Sequence, residues 1–125
     1  MYVHPQTPPT ATPIHGIAHS TWAGQAHGLT QLSLWRQSLA PGCATPPHRH
    51  DCDEIVLCLS GCGELLIAGA VHHFVAGQTI TVPRDAPHRI QVVGAEPLEI
   101  IAVLAASPVV VFLPDEQILE LPWPS

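Results

Sequence analysis

The sequence contains no lysine, so arginine is its only permanently charged basic residue. Four arginines stand against ten acidic residues in a chain of 125, and the formal net charge is −6. No basic stripe is available to neutralise phosphates, so we expect neither nucleic-acid binding nor attraction to an anionic membrane surface. The absence of lysine also excludes a Schiff-base intermediate on this chain and a lysine general base.

Long hydrophobic runs are also absent. The apolar stretch over residues 100–113 is too short to span a bilayer, and it contains Pro108. Residues 1–13 lack the basic segment followed by an apolar segment that marks a secretory signal. These features predict a cytoplasmic protein that does not associate with membranes.

The four cysteines are not arranged for cross-linking. None of the four cysteines forms a C-x-x-C pair, and a reducing compartment would keep them as thiols. Cys58 lies in an apolar run and is expected to pack as a small hydrophobic residue.

Prolines and glycines interrupt the chain too often for long helices, and the segments between them are short and rich in Val, Ile, Leu and Thr. Such a pattern predicts an all-β sandwich or barrel. The predicted strands cover residues 29–39, 54–59, 64–68, 71–75, 79–82, 88–93, 98–105 and 109–113.

Residues 1–28 are predicted as an extended Pro-rich arm and a first strand. The arm is either a disordered tail or a segment laid across a neighbouring subunit. Residues 114–125 are predicted as a tail packed on the barrel, with Trp123 on the barrel exterior.

Three histidines and one glutamate form the most informative pattern. His48, His50 and Glu54 are separated by even numbers of residues, so on an extended chain they share one side. His88 follows Pro87 and opens a later strand. Three imidazoles and a carboxylate that converge inside a barrel are typical ligands of a divalent transition metal.

At these residues the sequence resembles the cupin family. Its first motif, G-x5-H-x-H-x3-E-x6-G, is matched at every specified position by Gly42, His48, His50, Glu54 and Gly61. The second motif, G-x5-P-x-G-x2-H-x3-N, is matched by Gly77, Pro83 and His88, whereas Asp85 replaces the inner glycine and Val92 the asparagine. Because Asp tolerates a left-handed turn, Asp85 is compatible with the loop. The resemblance covers about residues 29–113 and implies a double-stranded β-helix, or jelly roll, that binds one metal through His48, His50, Glu54 and His88.

Other polar and apolar residues are candidates for the cavity of such a barrel. His72 is a candidate acid–base group, and an exposed or hydrogen-bonded hairpin histidine is the alternative. Arg36 could clamp an anionic substrate or be merely solvated. Cys58 and Phe74 are candidate pocket residues, with inert core packing as the alternative for the thiol.

The resemblance leaves two classes of function open. The first is a metal-dependent enzyme of dioxygenase, isomerase or lyase type, acting on a small oxygen-rich metabolite. The second is a non-catalytic cupin that binds or senses a small molecule such as a sugar or a carboxylate. The ligand set accommodates Fe, Mn, Ni, Co or Zn. Low charge and apolar outer strand faces predict a homodimer.

Overall fold

The structure, a computed structural model, describes residues 2–125, and its regular secondary structure consists almost entirely of short strands. The strands are β1 (Thr10–Ala11), β2 (Ile17–Ala23), β3 (Ser33–Leu39), β4 (Glu54–Ser60), β5 (Cys62–Ile67), β6 (Ala70–Val75), β7 (Thr79–Val82), β8 (His88–Val93), β9 (Leu98–Leu104), β10 (Val111–Phe112) and β11 (Ile118–Leu119). One 3₁₀ turn, Gln25–His27, separates β2 from β3. In the described part of the chain, no helix is long enough and apolar enough to cross a membrane.

The strands form two facing sheets and a small ribbon. The larger sheet has the order β1-β2-β3-β9-β4-β7, the smaller sheet has the order β6-β5-β8, and β10 pairs with β11. All of these pairs are antiparallel. The predicted all-β jelly roll is therefore confirmed.

Alternation along the strands places the core between the two sheets. In β3, β8 and β9 every second residue is buried, as expected when one face of a strand packs inward. Leu39, Val56, Leu98 and Leu104 are fully buried there. Glu54 lies opposite Leu104 in the register of β4 and β9, so its carboxylate enters the barrel at the edge of this core.

The N-terminal region contributes more to the barrel than its sequence suggested. Strand β2 joins the large sheet beside β3, and the predicted strand over residues 29–39 begins only at Ser33. The arm runs along β2 of its own chain, where the Trp22 indole donates a 2.8 Å hydrogen bond to the Thr7 carbonyl. It thus covers an edge of the sheet that would otherwise expose unpaired backbone groups.

The C-terminal segment also lies differently from the expectation. Trp123 was expected on the barrel exterior, but its ring packs against the buried side chains of His19 and Trp35. The segment is held in place by Ser125, whose hydroxyl accepts a 2.8 Å hydrogen bond from the Val109 backbone. The apolar residues of this segment therefore close one side of the barrel and do not lie on its outer surface.

The outer face of the large sheet carries exposed apolar side chains. Ile55, Leu57 and Leu59 of β4 are 43%, 36% and 46% exposed, respectively. An apolar outer face of this kind is where a second copy of the chain would pack. The homodimer itself stays a prediction.

Candidate metal centre and ligand cavity

Backbone pairing brings the three candidate histidines together. His48 and His88 face each other in an isolated antiparallel bridge, with backbone hydrogen bonds of 3.1 and 2.8 Å in the two directions. His50 follows two residues later on the same side of the chain. The three residues each offer a ring nitrogen, and these nitrogens lie within 4.8 Å of one another.

Hydrogen bonds to carbonyl groups orient all three rings. The bonds run from Nδ1 of His48 to Pro46 O (2.6 Å), from Nδ1 of His50 to Val110 O (2.9 Å) and from Nδ1 of His88 to Ala86 O (3.0 Å). Because a carbonyl oxygen only accepts, each Nδ1 carries the proton and donates it. Each Nε2 is therefore left with a lone pair, which is the arrangement that metal-ligating histidines commonly show.

Glu54 supplies the fourth donor. Its Oε1 lies 3.7 Å from Nε2 of His50 and 3.4 Å from Nε2 of His88. The carboxyl group is buried, and this oxygen has no hydrogen-bond partner among the described residues. A buried carboxylate oxygen without a partner is costly. A cation placed among the four side chains would remove that cost.

The pKa values reflect burial and mutual proximity. Burial, together with the nearby charges of His88 and His50, lowers the pKa of His48 to about 4. Burial opposes ionisation of Glu54, but its proximity to the imidazoles of His88, His50 and His48 brings its carboxyl pKa below the ordinary value. At neutral pH the site therefore offers a neutral imidazole at His48 and a carboxylate at Glu54. These two groups have the protonation states that metal binding requires. Burial of His88 is outweighed by the Glu54 carboxylate, which raises the pKa of this imidazole, and a metal ion would take the place of that proton, so the donor set fits a divalent metal.

Arg49 fixes the segment that carries two of the ligands. Its guanidinium contacts Asp85 at 2.9 Å, pairs with Glu116 and lies 4.2 Å above the centre of the Phe112 ring. Its backbone also exchanges two hydrogen bonds with Phe112. Asp85 adopts a positive φ of 65°, in keeping with the left-handed turn predicted from its place in the second motif. Arg49 thus ties the ligand segment to the loop before His88 and to the turn that leads into β11.

A cavity opens beside the cluster, and its walls are mostly apolar. The lining residues are Ile14, Ile17, Trp35, Gln37, Thr45, Pro46, His48, His50, Glu54, Val56, Ile90, Ile100, Val111, Leu119, Leu121 and Trp123. The titratable side chains in this lining are His48, His50 and Glu54, which all belong to the candidate metal site. The remaining polar side chains are Gln37 and Thr45, together with the indole N–H groups of the two tryptophans. The cavity therefore combines one site for a charged group with an apolar enclosure.

The other candidate pocket residues lie elsewhere. Arg36 points outward from β3 and pairs with Glu99 at 2.8 Å, because it alternates with the buried residues of that strand. His72 is exposed and lines a separate depression between the edge strands β6 and β7. Cys58 is buried but does not line the cavity; its thiol lies 3.8 Å from the Ser60 carbonyl.

Phe74 is also buried away from the cavity. Its ring packs against the backbone of Gly63, where even a single added methyl group would come within 2.4 Å of it. Phe74 thus fills space between β5 and β6 and is not among the residues that line the cavity.

Residues that sequence reasoning missed form the far wall of the cavity and its support. Gln37 shares the inward face of β3 with Trp35, and His19 shares the inward face of β2 with Ile17. The signal was the two-residue spacing of each polar residue from a large apolar one, but the prediction of a first strand within residues 1–28 did not give its bounds.

A double-stranded β-helix in which three histidines and a glutamate converge beside an internal cavity defines a cupin. A family model described as auxin-binding protein matches residues 4–122. The chain belongs to the auxin-binding protein family.

The curated relatives are plant proteins. Auxin-binding protein 1 of Arabidopsis thaliana is 32% identical over 108 residues, which cover 78% of this chain and 54% of the relative. Auxin-binding protein T85 of Nicotiana tabacum is 34% identical over 113 residues, which cover 81% of this chain and 60% of the relative. The chain thus spans little more than half the length of these relatives.

Solved structures share the fold with this chain. An oxalate decarboxylase variant of Bacillus subtilis superposes with a TM-score of 0.70 at 18% identity, covering 81% of this chain and 28% of that one. The polyketide cyclase RemF of Streptomyces resistomycificus superposes with a TM-score of 0.67 at 22% identity, and the match covers 76% of this chain and 70% of the cyclase. A sugar phosphate isomerase of the cupin superfamily from Silicibacter pomeroyi superposes with a TM-score of 0.67 at 25% identity, and the match covers 80% of this chain and 66% of the isomerase.

We expect the metal-free protein to lose stability in acid through His19. Burial lowers the pKa of this imidazole from 6.5 to about 4. Between these values the unfolded chain binds a proton that the folded chain does not, so the free energy of unfolding falls as the pH falls from 6.5 towards 4. The contribution of His19 is on the order of 2 kcal/mol at pH 4.5.

Urea unfolding of chelator-treated protein at pH 7 and pH 4.5 measures this dependence. A His19→Gln variant should show a smaller loss than the wild type, whereas His15→Gln, at an exposed position, should not. Equal losses in all three proteins would show that His19 does not stay neutral in the folded state.

Proposed function

We propose that this protein binds a small carboxylic acid with an apolar, preferably aromatic, body. In this proposal one divalent transition metal (Fe, Mn, Ni, Co or Zn) is held by His48, His50, Glu54 and His88. The bound metal supplies a positive charge, since a dication with three neutral imidazoles and one carboxylate retains a net charge of about +1. The observation that carries the proposal is that no other charged side chain lines an otherwise apolar cavity.

Each part of the ligand then has a matching surface. A carboxylate placed at the histidines would be stabilised by the metal charge, and Thr45 offers a hydroxyl nearby in the lining. Trp35, Trp123 and the aliphatic side chains would bury an aromatic or aliphatic body. A sugar would leave many hydroxyl groups facing apolar walls, which is unfavourable.

The names of the relatives agree with this chemistry. Proteins that are 32% and 34% identical to this chain are described as auxin-binding. Indole-3-acetate, an auxin, joins an aromatic ring to a carboxylate. It is therefore the natural first probe for the cavity.

Binding is favoured over proton-transfer catalysis by what the cavity lacks. Apart from the metal-site residues, the lining described here holds no histidine, carboxylate, tyrosine or cysteine that could act as a general acid or base. His72, the candidate for that role, lines a different depression. The enzymatic function expected from the cupin resemblance therefore has no proton donor or acceptor of its own beside the metal site.

Calorimetric titration of metal-loaded protein with indole-3-acetate tests the proposal. Two partial ligands serve as controls, indole-3-ethanol, which lacks the carboxylate, and acetate, which lacks the ring. We expect each to bind at least about tenfold more weakly than indole-3-acetate, since a charge-assisted contact or an aromatic packing surface is lost.

Equal binding of indole-3-ethanol and indole-3-acetate would contradict the role of the carboxylate. Mass spectrometry of the ligand after prolonged incubation separates the two classes of function. Unchanged ligand is expected, and a product that forms with the wild type but not with His50→Ala would establish an enzyme instead.

A further inference from the structure

His19 lies at the centre of a buried aromatic cluster beside the cavity. Its ring stacks on that of Trp123, with centroids 3.9 Å apart and planes inclined by 13°. Trp35 meets both rings edge-on, at 5.2 Å from His19 and 5.5 Å from Trp123. Trp35 and Trp123 line the cavity, whereas His19 supports them from behind and is not part of the lining.

The same imidazole is part of a directed hydrogen-bond chain. Thr21 donates its hydroxyl proton to the Pro124 carbonyl at 2.6 Å, so its oxygen is free to accept from Nε2 of His19 at 2.7 Å. With the proton on Nε2, Nδ1 of His19 accepts from the side-chain amide of Gln37 at 3.0 Å. The chain thus runs from a polar group of the cavity wall to the backbone beside Trp123.

We propose that His19 is a positioning residue for the ligand cavity: its stacked ring holds Trp123 in the cavity wall, and its hydrogen bond fixes the side chain of Gln37. The ring supplies a flat surface for the indole. Through Thr21 it also anchors the next residue of the C-terminal segment. Strand β11 has only two residues, and the hydrogen bonds of Ser125 hold the backbone at the end of the segment, so neither of them fixes the Trp123 ring itself.

This inference rests on the proposed function for the nature of the ligand, but the placement of Trp123 is testable without any ligand. Acrylamide quenching of tryptophan fluorescence measures how accessible the indoles are. In His19→Ala we expect the quenching constant to rise at least about twofold. His19→Phe keeps a ring under Trp123 and should restore most of the protection. His19→Gln lacks the ring but keeps an N–H donor for Thr21, and it should not restore the protection. His15→Ala, at an exposed position, is the matched control.

The consequence for the ligand is measured in the same proteins, each checked for unchanged metal content. His19→Ala should weaken indole-3-acetate binding about tenfold and acetate binding less than twofold, since acetate does not reach the wall. In a Trp123→Ala background the same substitution should weaken indole-3-acetate binding much less, by less than about threefold, because the larger part of its effect passes through Trp123 and only the part through Gln37 remains.

The outcomes are decisive in either direction. Unchanged quenching in His19→Ala, or rescue by Gln and not by Phe, overturns the stacking role. If the losses of indole-3-acetate affinity in the two single variants simply add in the double variant, then His19 does not act through Trp123. If wild-type protein binds neither acid, the proposed function fails, and the quenching series still decides whether His19 positions Trp123.

Discussion

A His50→Ala variant is expected to bind divalent metal at least about 100-fold more weakly than the wild type. Loss of a group that merely orients a ligand commonly costs 10–100-fold in affinity, and loss of a ligand should cost more. His50 is 4% exposed, and its ring is oriented by the Val110 carbonyl. Alanine would therefore remove a donor that no neighbouring side chain replaces. Elemental analysis after dialysis against limiting Zn²⁺ or Mn²⁺ measures the change.

A matched control comes from an exposed histidine of the same chain. His72→Ala also removes an imidazole, but His72 lies outside the candidate metal site. It should retain the metal content of the wild type. Equal metal content in His50→Ala and His72→Ala would show that the cluster does not hold the metal.

Removal of the metal from the wild-type protein is expected to abolish binding of indole-3-acetate, with a loss of at least about 100-fold. Without the cation, a carboxylate would enter an apolar cavity beside the carboxylate of Glu54, at a cost of several kcal/mol. Chelation followed by gel filtration and calorimetry measures the loss, and added metal should restore the affinity. Retention of the full affinity after chelation would mean that the ligand is held by other groups.

The clustering of the candidate metal ligands could be anticipated because the spacing of three of them is local. His48, His50 and Glu54 lie within seven residues, and their even separations share one side of an extended chain. His88 was identifiable from the second cupin motif. The structure adds what spacing alone does not contain, namely the bridge between His48 and His88 and the carbonyl groups that fix each ring.

The far wall was not predictable because it is assembled from distant parts of the sequence. His19, Trp35 and Trp123 meet only after β2 pairs with β3 and the C-terminal segment folds back across the barrel. A first strand was predicted within residues 1–28, but its polar residues gave no sign of which side faces the barrel, since buried His19 is hydrogen-bonded to Gln37 and Thr21. The preponderance of apolar residues in residues 114–125 indicated burial but not the surface that it covers.

The pocket candidates show that the alternation of side chains between the two faces of a strand does not by itself predict burial. His72 shares the inward parity of Phe74, but β6 is an edge strand, so the inward face is open to solvent at this position. Arg36 was a cavity candidate because of its charge, with a solvated side chain as the alternative, and the strand alternation places Gln37 on the inward face instead. Burial depends on the neighbouring strands as well as on which face a residue occupies.

Anomalous diffraction from Zn²⁺-loaded crystals, measured on both sides of the zinc absorption edge, locates the metal directly. We expect one strong peak about 2.0–2.2 Å from Nε2 of His48, His50 and His88 and from a carboxylate oxygen of Glu54. A zinc peak bound elsewhere on the chain, with these four side chains left free of metal, would contradict the assignment of the centre.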